Sequence, residues 1–214
     1  MTSPAPTLAI IAPGSMGAAV AHKLTKSGCT VLTTFAGRSP GTVERAKAAG
    51  MLDASLPEIA RRAEWVLSIL PPSSALAFAE SFRKAVDVAG RGEGSESKLA
   101  FVDCNAISPE SAKRVANVFE GSGVRFLDAG IVGGPPTDTY DPAFYASADP
   151  ADLDLLDAFV ALGKWGLRVV PLRGEGAGVG DASALKMSYA VSSRRCILPI
   201  GALTGRVLLG NRQN

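Results

Sequence analysis

Residues 8–17 read Leu8-Ala9-Ile10-Ile11-Ala12-Pro13-Gly14-Ser15-Met16-Gly17. The apolar run at 8–12 stops at Pro13-Gly14, which predicts a short buried strand ending in a turn. Residues 16–27 are Ala-rich, with apolar side chains at helical spacing, and Gly28 closes the stretch as a helix stop. Residues 12–17 therefore join a strand to a helix. They depart from the pattern G-x-G-x-x-G only at Ala12. Gly14 lets the backbone approach a pyrophosphate, and Gly17 lets helix and strand pack closely. The amides and dipole of the helix N-terminus favour that anion. A bare tight turn is the alternative reading. The strand-turn-helix setting favours a dinucleotide site that uses Pro13, Gly14, Ser15, Met16 and Gly17.

Outward from this unit, strands are predicted over 31–35, 65–70, 99–103, 124–129 and 167–170. Helices are predicted over 42–49, 75–88, 109–119, 151–162 and 182–190, and a polar Gly-rich loop over 90–97. The alternation predicts the α/β class: a Rossmann-type, doubly wound, mostly parallel sheet with helices on both faces. Residues 7–176 are expected to form the cofactor domain. Residues 177–214 are expected to begin a helical unit and end in an irregular tail. That tail carries Arg194, Arg195, Arg206 and Arg212 but no acid.

The second strand leads into Ala36-Gly37-Arg38-Ser39. An NAD site places a carboxylate in this region against the ribose 2′-hydroxyl. Here a guanidinium fork stands instead, suited to a phosphate, with a hydroxyl beside it. Arg38 and Ser39 thus predict NADP. The alternative is a solvated loop arginine.

Composition excludes other classes. Lys+Arg number 22 against 20 for Asp+Glu, so no basic surplus points to nucleic acid or an anionic membrane. No apolar run approaches membrane-helix length, and residues 1–6 lack a secretory pattern. Cys29, Cys104 and Cys196 show neither metal spacing nor a disulfide framework, which suits a reducing, cytoplasmic setting. The single histidine, His22, reads as a surface helix residue, and Asp128 as a structural strand-end acid.

With these residues in place, the chain resembles the β-hydroxyacid dehydrogenase family, which includes 3-hydroxyisobutyrate and 6-phosphogluconate dehydrogenases. The resemblance spans about residues 8–190. Ser68-Ile69-Leu70-Pro71-Pro72 resembles the loop lining the nicotinamide side, which implies cofactor contacts by Leu70 and Pro71. Asp103-Cys104-Asn105-Ala106-Ile107-Ser108-Pro109 resembles a segment that implies a ligand contact by Asn105, with Ala106 replacing a hydroxyl residue. Residues 126–134, Phe-Leu-Asp-Ala-Gly-Ile-Val-Gly-Gly, resemble the stretch that binds the substrate carboxylate. This implies roles for Gly133 and Gly134, with Val132 replacing a serine. Residues 178–186, Gly-Val-Gly-Asp-Ala-Ser-Ala-Leu-Lys, resemble the opening of the interdomain helix and align Lys186 with the catalytic lysine. The asparagines that follow this lysine elsewhere give way to Tyr189 and Ala190.

The resemblance implies hydride transfer between NADP and a small hydroxy acid, without a metal, with Lys186 as general base. A non-catalytic NADP-binding module, or an inactive truncated paralogue, is the alternative. An imine or other carbonyl reductase on the same fold ranks behind both, because Lys186 is retained. The family's lysine helix leads into an all-helical domain that completes the pocket, usually in a homodimer. Only residues 191–214 follow here, so a C-terminal truncation is expected. Val191-Ser192 is a dipeptide that GTAAGT, an intron donor, would encode, which makes read-through the expected origin of the tail.

Overall fold

The computed structural model describes residues 4–90 and 99–195. Strand β1 (Thr7–Ile11) is buried over its last four residues, and its alternate side chains serve two cores. Leu8 and Ile10 face a layer built by α1 (Ser15–Lys26), α2 (Pro40–Ala48) and α6 (Leu153–Val160). Ala9 and Ile11 face a layer built by α3 (Leu56–Arg62), α4 (Ala75–Val88) and α5 (Pro109–Val118). The period-two alternation of a strand makes both layers possible from one run of apolar residues.

The other strands are β2 (Thr30–Thr33), β3 (Leu52–Asp53), β4 (Trp65–Ser68), β5 (Ala100–Asp103), β6 (Arg125–Val132), β7 (Ala143–Ser147) and β8 (Val169–Pro171). They form one sheet in the order β3-β2-β1-β4-β5-β6-β7-β8. Every pairing is parallel except β6 with β7. The expected doubly wound, mostly parallel architecture is what the chain adopts. Order reverses between β1 and β4, which opens a crevice at the carboxyl ends of these strands. On one face, Phe101 lies 4.6 Å from Phe119, with Phe78, Phe82 and Phe126 around it. On the other, Trp65 packs on Phe159 at 5.4 Å. These aromatic pairs fix how the layers sit on the sheet.

Three elements escaped the sequence reading: β3, α3 and β7. The start of α3 carries a capping box, with the Glu58 carboxylate accepting from the Ser55 amide at 2.8 Å. Strand β7 returns antiparallel along β6, which runs to Val132, beyond the expected end at 129. The helix expected over 151–162 begins in a 3-10 turn, Pro150–Asp152, and ends in another, Ala161–Trp165. Helix α7 (Asp181–Arg195) continues past Ala190 into the stretch read as irregular. The rest of that tail, and the expected loop from residue 91 to 97, lie outside the described residues.

Ala12 is the one non-glycine among the described residues with a positive φ, +64°. Its carbonyl accepts from the Gly14 amide at 2.7 Å, closing the turn that ends β1. A left-handed conformation costs an L-residue about 1–2 kcal/mol. Ala12→Gly is expected to raise unfolding free energy by about 1 kcal/mol, measured by urea denaturation. A loss of stability would contradict strain at this position.

Candidate active site

The turn after β1 is shaped as a cradle. A Cβ on Gly17 would stand 2.7 Å from the Ala12 carbonyl oxygen, so only glycine lets α1 start this close to β1. A Cβ on Gly14 would meet nothing within 4 Å, so that side of the turn is open. Helix α1 has no side-chain cap and no acid in its first turn. The amides of Ser15, Met16 and Gly17 belong to that first turn, where no intrahelical acceptor is available. An anion fits this arrangement. The sequence reading missed Arg45, which reaches from α2 to donate to the Pro13 carbonyl at 3.1 Å. It braces the turn and brings a cation close to it.

Arg38 follows β2 at the start of α2. Its amide donates to the Phe35 carbonyl at 3.0 Å, and Gly37 takes a φ of +70° within this tight turn. The Arg38 Nε is shielded from solvent and has no protein partner. Ser39 is the N-cap of α2, its hydroxyl 3.0 Å from that of Thr42. The sequence reading also missed a nearby carboxylate. Asp53, at the end of β3, accepts from the Phe35 amide at 2.8 Å. That oxygen is engaged in holding the loop that carries Arg38.

A cleft of about 380 Å³ opens at the carboxyl ends of the strands. Met16, Leu70, Asn105, Gly133 and Lys186 all line it, as do Cys104, Val132 and Tyr189. Pro71 and Gly134 do not line it, and Arg38 and Ser39 sit apart from it beside β2. The Asn105 amide is occupied by the sheet. Its oxygen accepts from the Leu70 amide at 2.5 Å, and its nitrogen donates to the Ser68 hydroxyl at 2.9 Å. It therefore ties the β4 and β5 ends together and forms wall. A somewhat larger cavity, about 420 Å³, lies near the start of β4 beside Glu64 and Trp65, away from these groups.

Lys186 reaches the cleft because α7 lies directly on β6. A Cβ on Gly130 would stand 3.0 Å from both the Ala182 carbonyl oxygen and the Lys186 Cβ. Burial pushes the Lys186 amine below its ordinary range, against the opposing influence of Cys104 and Asp103. The start of α7 is held by Asp128, which accepts from the Gly180 and Ser183 amides and the Ser183 and Ser147 hydroxyls. Ser68, Asp103, Asp128 and Ser147 are register partners across four neighbouring strands, and all are buried. They form a polar row beneath the cleft. Asp103 differs from Asp128 in having one oxygen, Oδ2, without a partner; the other accepts from the Asn105 amide at 2.8 Å. Burial is the main cause that raises the Asp103 carboxyl from 3.8 to about 7, with Asp128 adding to it.

His22 is exposed on α1, and Cys29 is a buried free thiol; Cys196 lies outside the described residues. Among the described residues, no group of three or more His, Cys, Asp or Glu is placed to hold a metal ion. None of their helices is long and apolar enough to cross a membrane.

Comparison with known proteins agrees with this fold. Residues 7–170 match the NAD-binding domain of 6-phosphogluconate dehydrogenase. The chain belongs to that family. It is 28% identical over 132 residues to the mitochondrial 3-hydroxyisobutyrate dehydrogenase of Drosophila melanogaster, a match covering 62% of this chain and 38% of that protein. The conserved protein MTH1747, of unknown function and structurally similar to 3-hydroxyacid dehydrogenases, shares 29% identity and a TM-score of 0.70. That match covers 88% of this chain and 64% of the other. An imine reductase from Myxococcus stipitatus, solved with NADP+, is 21% identical with a TM-score of 0.67, covering 90% and 62%. A variant of it was solved with NAD+. This last likeness is one of fold. The chain thus carries a nicotinamide-dinucleotide-binding oxidoreductase fold and spans less than two thirds of each of these relatives.

The Asp103 carboxyl gives a pH signature. Its folded value is raised, so between about pH 4 and pH 7 the folded state keeps a proton that the unfolded state releases. The stability it confers is fully present below about pH 4 and is lost as pH rises through about 7. The stability of Asp103→Asn relative to the parent is therefore expected to improve from about pH 4 to about pH 8. Chemical denaturation across this range checks it; a difference that stays constant with pH would contradict the assignment.

Proposed function

We propose that this chain is the cofactor-binding part of an NADP-dependent oxidoreductase that interconverts a small hydroxy acid and its carbonyl form, with Lys186 as the proton-transferring residue. The observation that carries this reading is the Lys186 amine, half-buried in the cleft at the carboxyl end of the sheet, with its pKa lowered by that burial. When bound, the nicotinamide would accept or supply the hydride. The neutral Lys186 amine would take the substrate's hydroxyl proton during oxidation, and the ammonium would return it during reduction. Gly133, on the cleft wall, would offer its backbone amide to the substrate's carboxylate.

On the cofactor side, the α1 amides would hold the pyrophosphate, and Arg38 with Ser39 would hold the 2′-phosphate at the start of α2. The unpartnered Arg38 Nε supports this reading. Residues 7–176 would form the cofactor domain, and residues from 177 onward would begin the helical unit that completes the substrate pocket, in a homodimer.

Two measurements test the proposal. NADPH is expected to bind more tightly than NADH. Arg38→Ala should weaken NADPH about ten- to a hundredfold, the scale of a lost charge-assisted hydrogen bond, while sparing NADH. Equal affinities in the parent would remove the 2′-phosphate argument. In NADP reduction with a panel of β-hydroxy acids, Lys186→Ala should lower the rate about a hundredfold or more. Equal rates would exclude Lys186. Tight NADPH binding with no turnover on any acid would leave the binding-module reading standing.

A further inference from the structure

We propose that Asp103 is a positioning residue for Lys186: its buried, unpartnered Oδ2 is the counter-charge that keeps a proton on the amine. This deepens the reading of Lys186 as the proton-transferring group and rests on it. The groups whose charge acts on Lys186 are Cys104 and Asp103, both at the end of β5. Burial holds the Cys104 thiol well above its ordinary range, so it is neutral where most proteins work. Asp128, on the neighbouring strand, has its carboxylate committed to the start of α7 through four hydrogen bonds. Tyr189, one turn along α7, lines the same cleft. Asp103 is left as the uncommitted carboxyl group, an anion above about pH 7.

Its position suits that role. Asp103 is the register partner of Asp128 on β6, the strand on which α7 packs. Oδ1 is fixed by the Asn105 amide, which orients the carboxylate and leaves Oδ2 unengaged. An orphaned carboxylate oxygen is costly in a buried site, and a neighbouring ammonium lowers that cost by pairing charges in a low-dielectric setting. The ammonium form of Lys186 suits proton return to a carbonyl, and the neutral amine suits abstraction from a hydroxyl; the Asp103 carboxylate favours the first. Asp103 so sets the pH at which Lys186 changes from acid to base, without touching the substrate itself.

The test reads the amine directly. Reductive methylation of the intact chain, followed by peptide mass spectrometry, gives the modification rate of Lys186 against pH. In Asp103→Asn the midpoint of that profile is expected to move down by about 0.5–1 pH unit. Asp103→Glu, which restores the charge, should return it toward the parent. Cys104→Ser should leave it in place. Asp103→Ser serves in the same assay if the asparagine variant does not fold, with folding verified by circular dichroism. A folded Asp103 variant without charge whose midpoint matches the parent would overturn the proposal, as would a shift produced by Cys104→Ser instead. The assay needs no turnover. A Lys186→Ala chain that still reduces NADP would refute the proposed catalytic role while leaving the labelling result intact.

Discussion

The Asp128 carboxylate, buried at the middle of β6, accepts four hydrogen bonds from the start of α7 and from β7. Burial of a carboxylate carries a large desolvation cost, and these donors offset it. They also satisfy amides at the start of α7 that have no partner within the helix. Removing the carboxylate would leave those amides unpaired and free the helix from the sheet. Asp149 holds the next residue along, accepting from the Val179 amide at 2.9 Å, and Ser147 accepts from the Ala182 amide at 3.1 Å. The placement of Lys186 depends on this clamp, since it lies on the same helix one turn beyond Ser183.

The clamp acts together with a steric condition. Gly130, two residues beyond Asp128 on the same face of β6, leaves no side chain between sheet and helix. A Cβ there would press on the Ala182 carbonyl and on the Lys186 stem. Helix α7 can therefore lie flat on β6, with its lysine over the strand end. The same logic of close approach applies at the other end of the crevice, where Gly17 sets α1 against β1. Two glycines and one buried carboxylate thus fix two helix starts at the edge of one sheet. One offers amides for an anion, and the other presents a partly desolvated amine to the cleft.

Much of this was legible in the sequence. Strand-turn-helix at 8–27 and the alternation that follows gave the doubly wound architecture, because buried parallel strands are written as short apolar runs. The segments carrying Asn105, Gly133 and Lys186 could be named before the structure brought them to one cleft. Other features could not be read locally. Strand β7, Ala143–Ser147, is a short run without clear alternation, and its pairing with β6 defines it. The capping box at Ser55 and Glu58 was readable and was passed over. Arg45 and Asp53 act across long sequence separations, as braces on the Pro13 carbonyl and the Phe35 amide. Asn105, expected to touch a ligand, lines the cleft, and its side chain also joins β4 to β5. That outcome depends on the polar row formed by register across the strands, which a single sequence does not display.

In the proposed function a dinucleotide lies along the carboxyl edge of the sheet, from the Gly14–Gly17 turn to the cleft at Lys186. Amide hydrogen exchange with and without NADPH tests it most directly. NADPH is expected to slow exchange at residues 14–17, 104–106 and 131–134 and to leave the cavity beside Trp65 and Trp165 unchanged. Protection confined to that cavity, with the glycine turn exchanging as before, would contradict it.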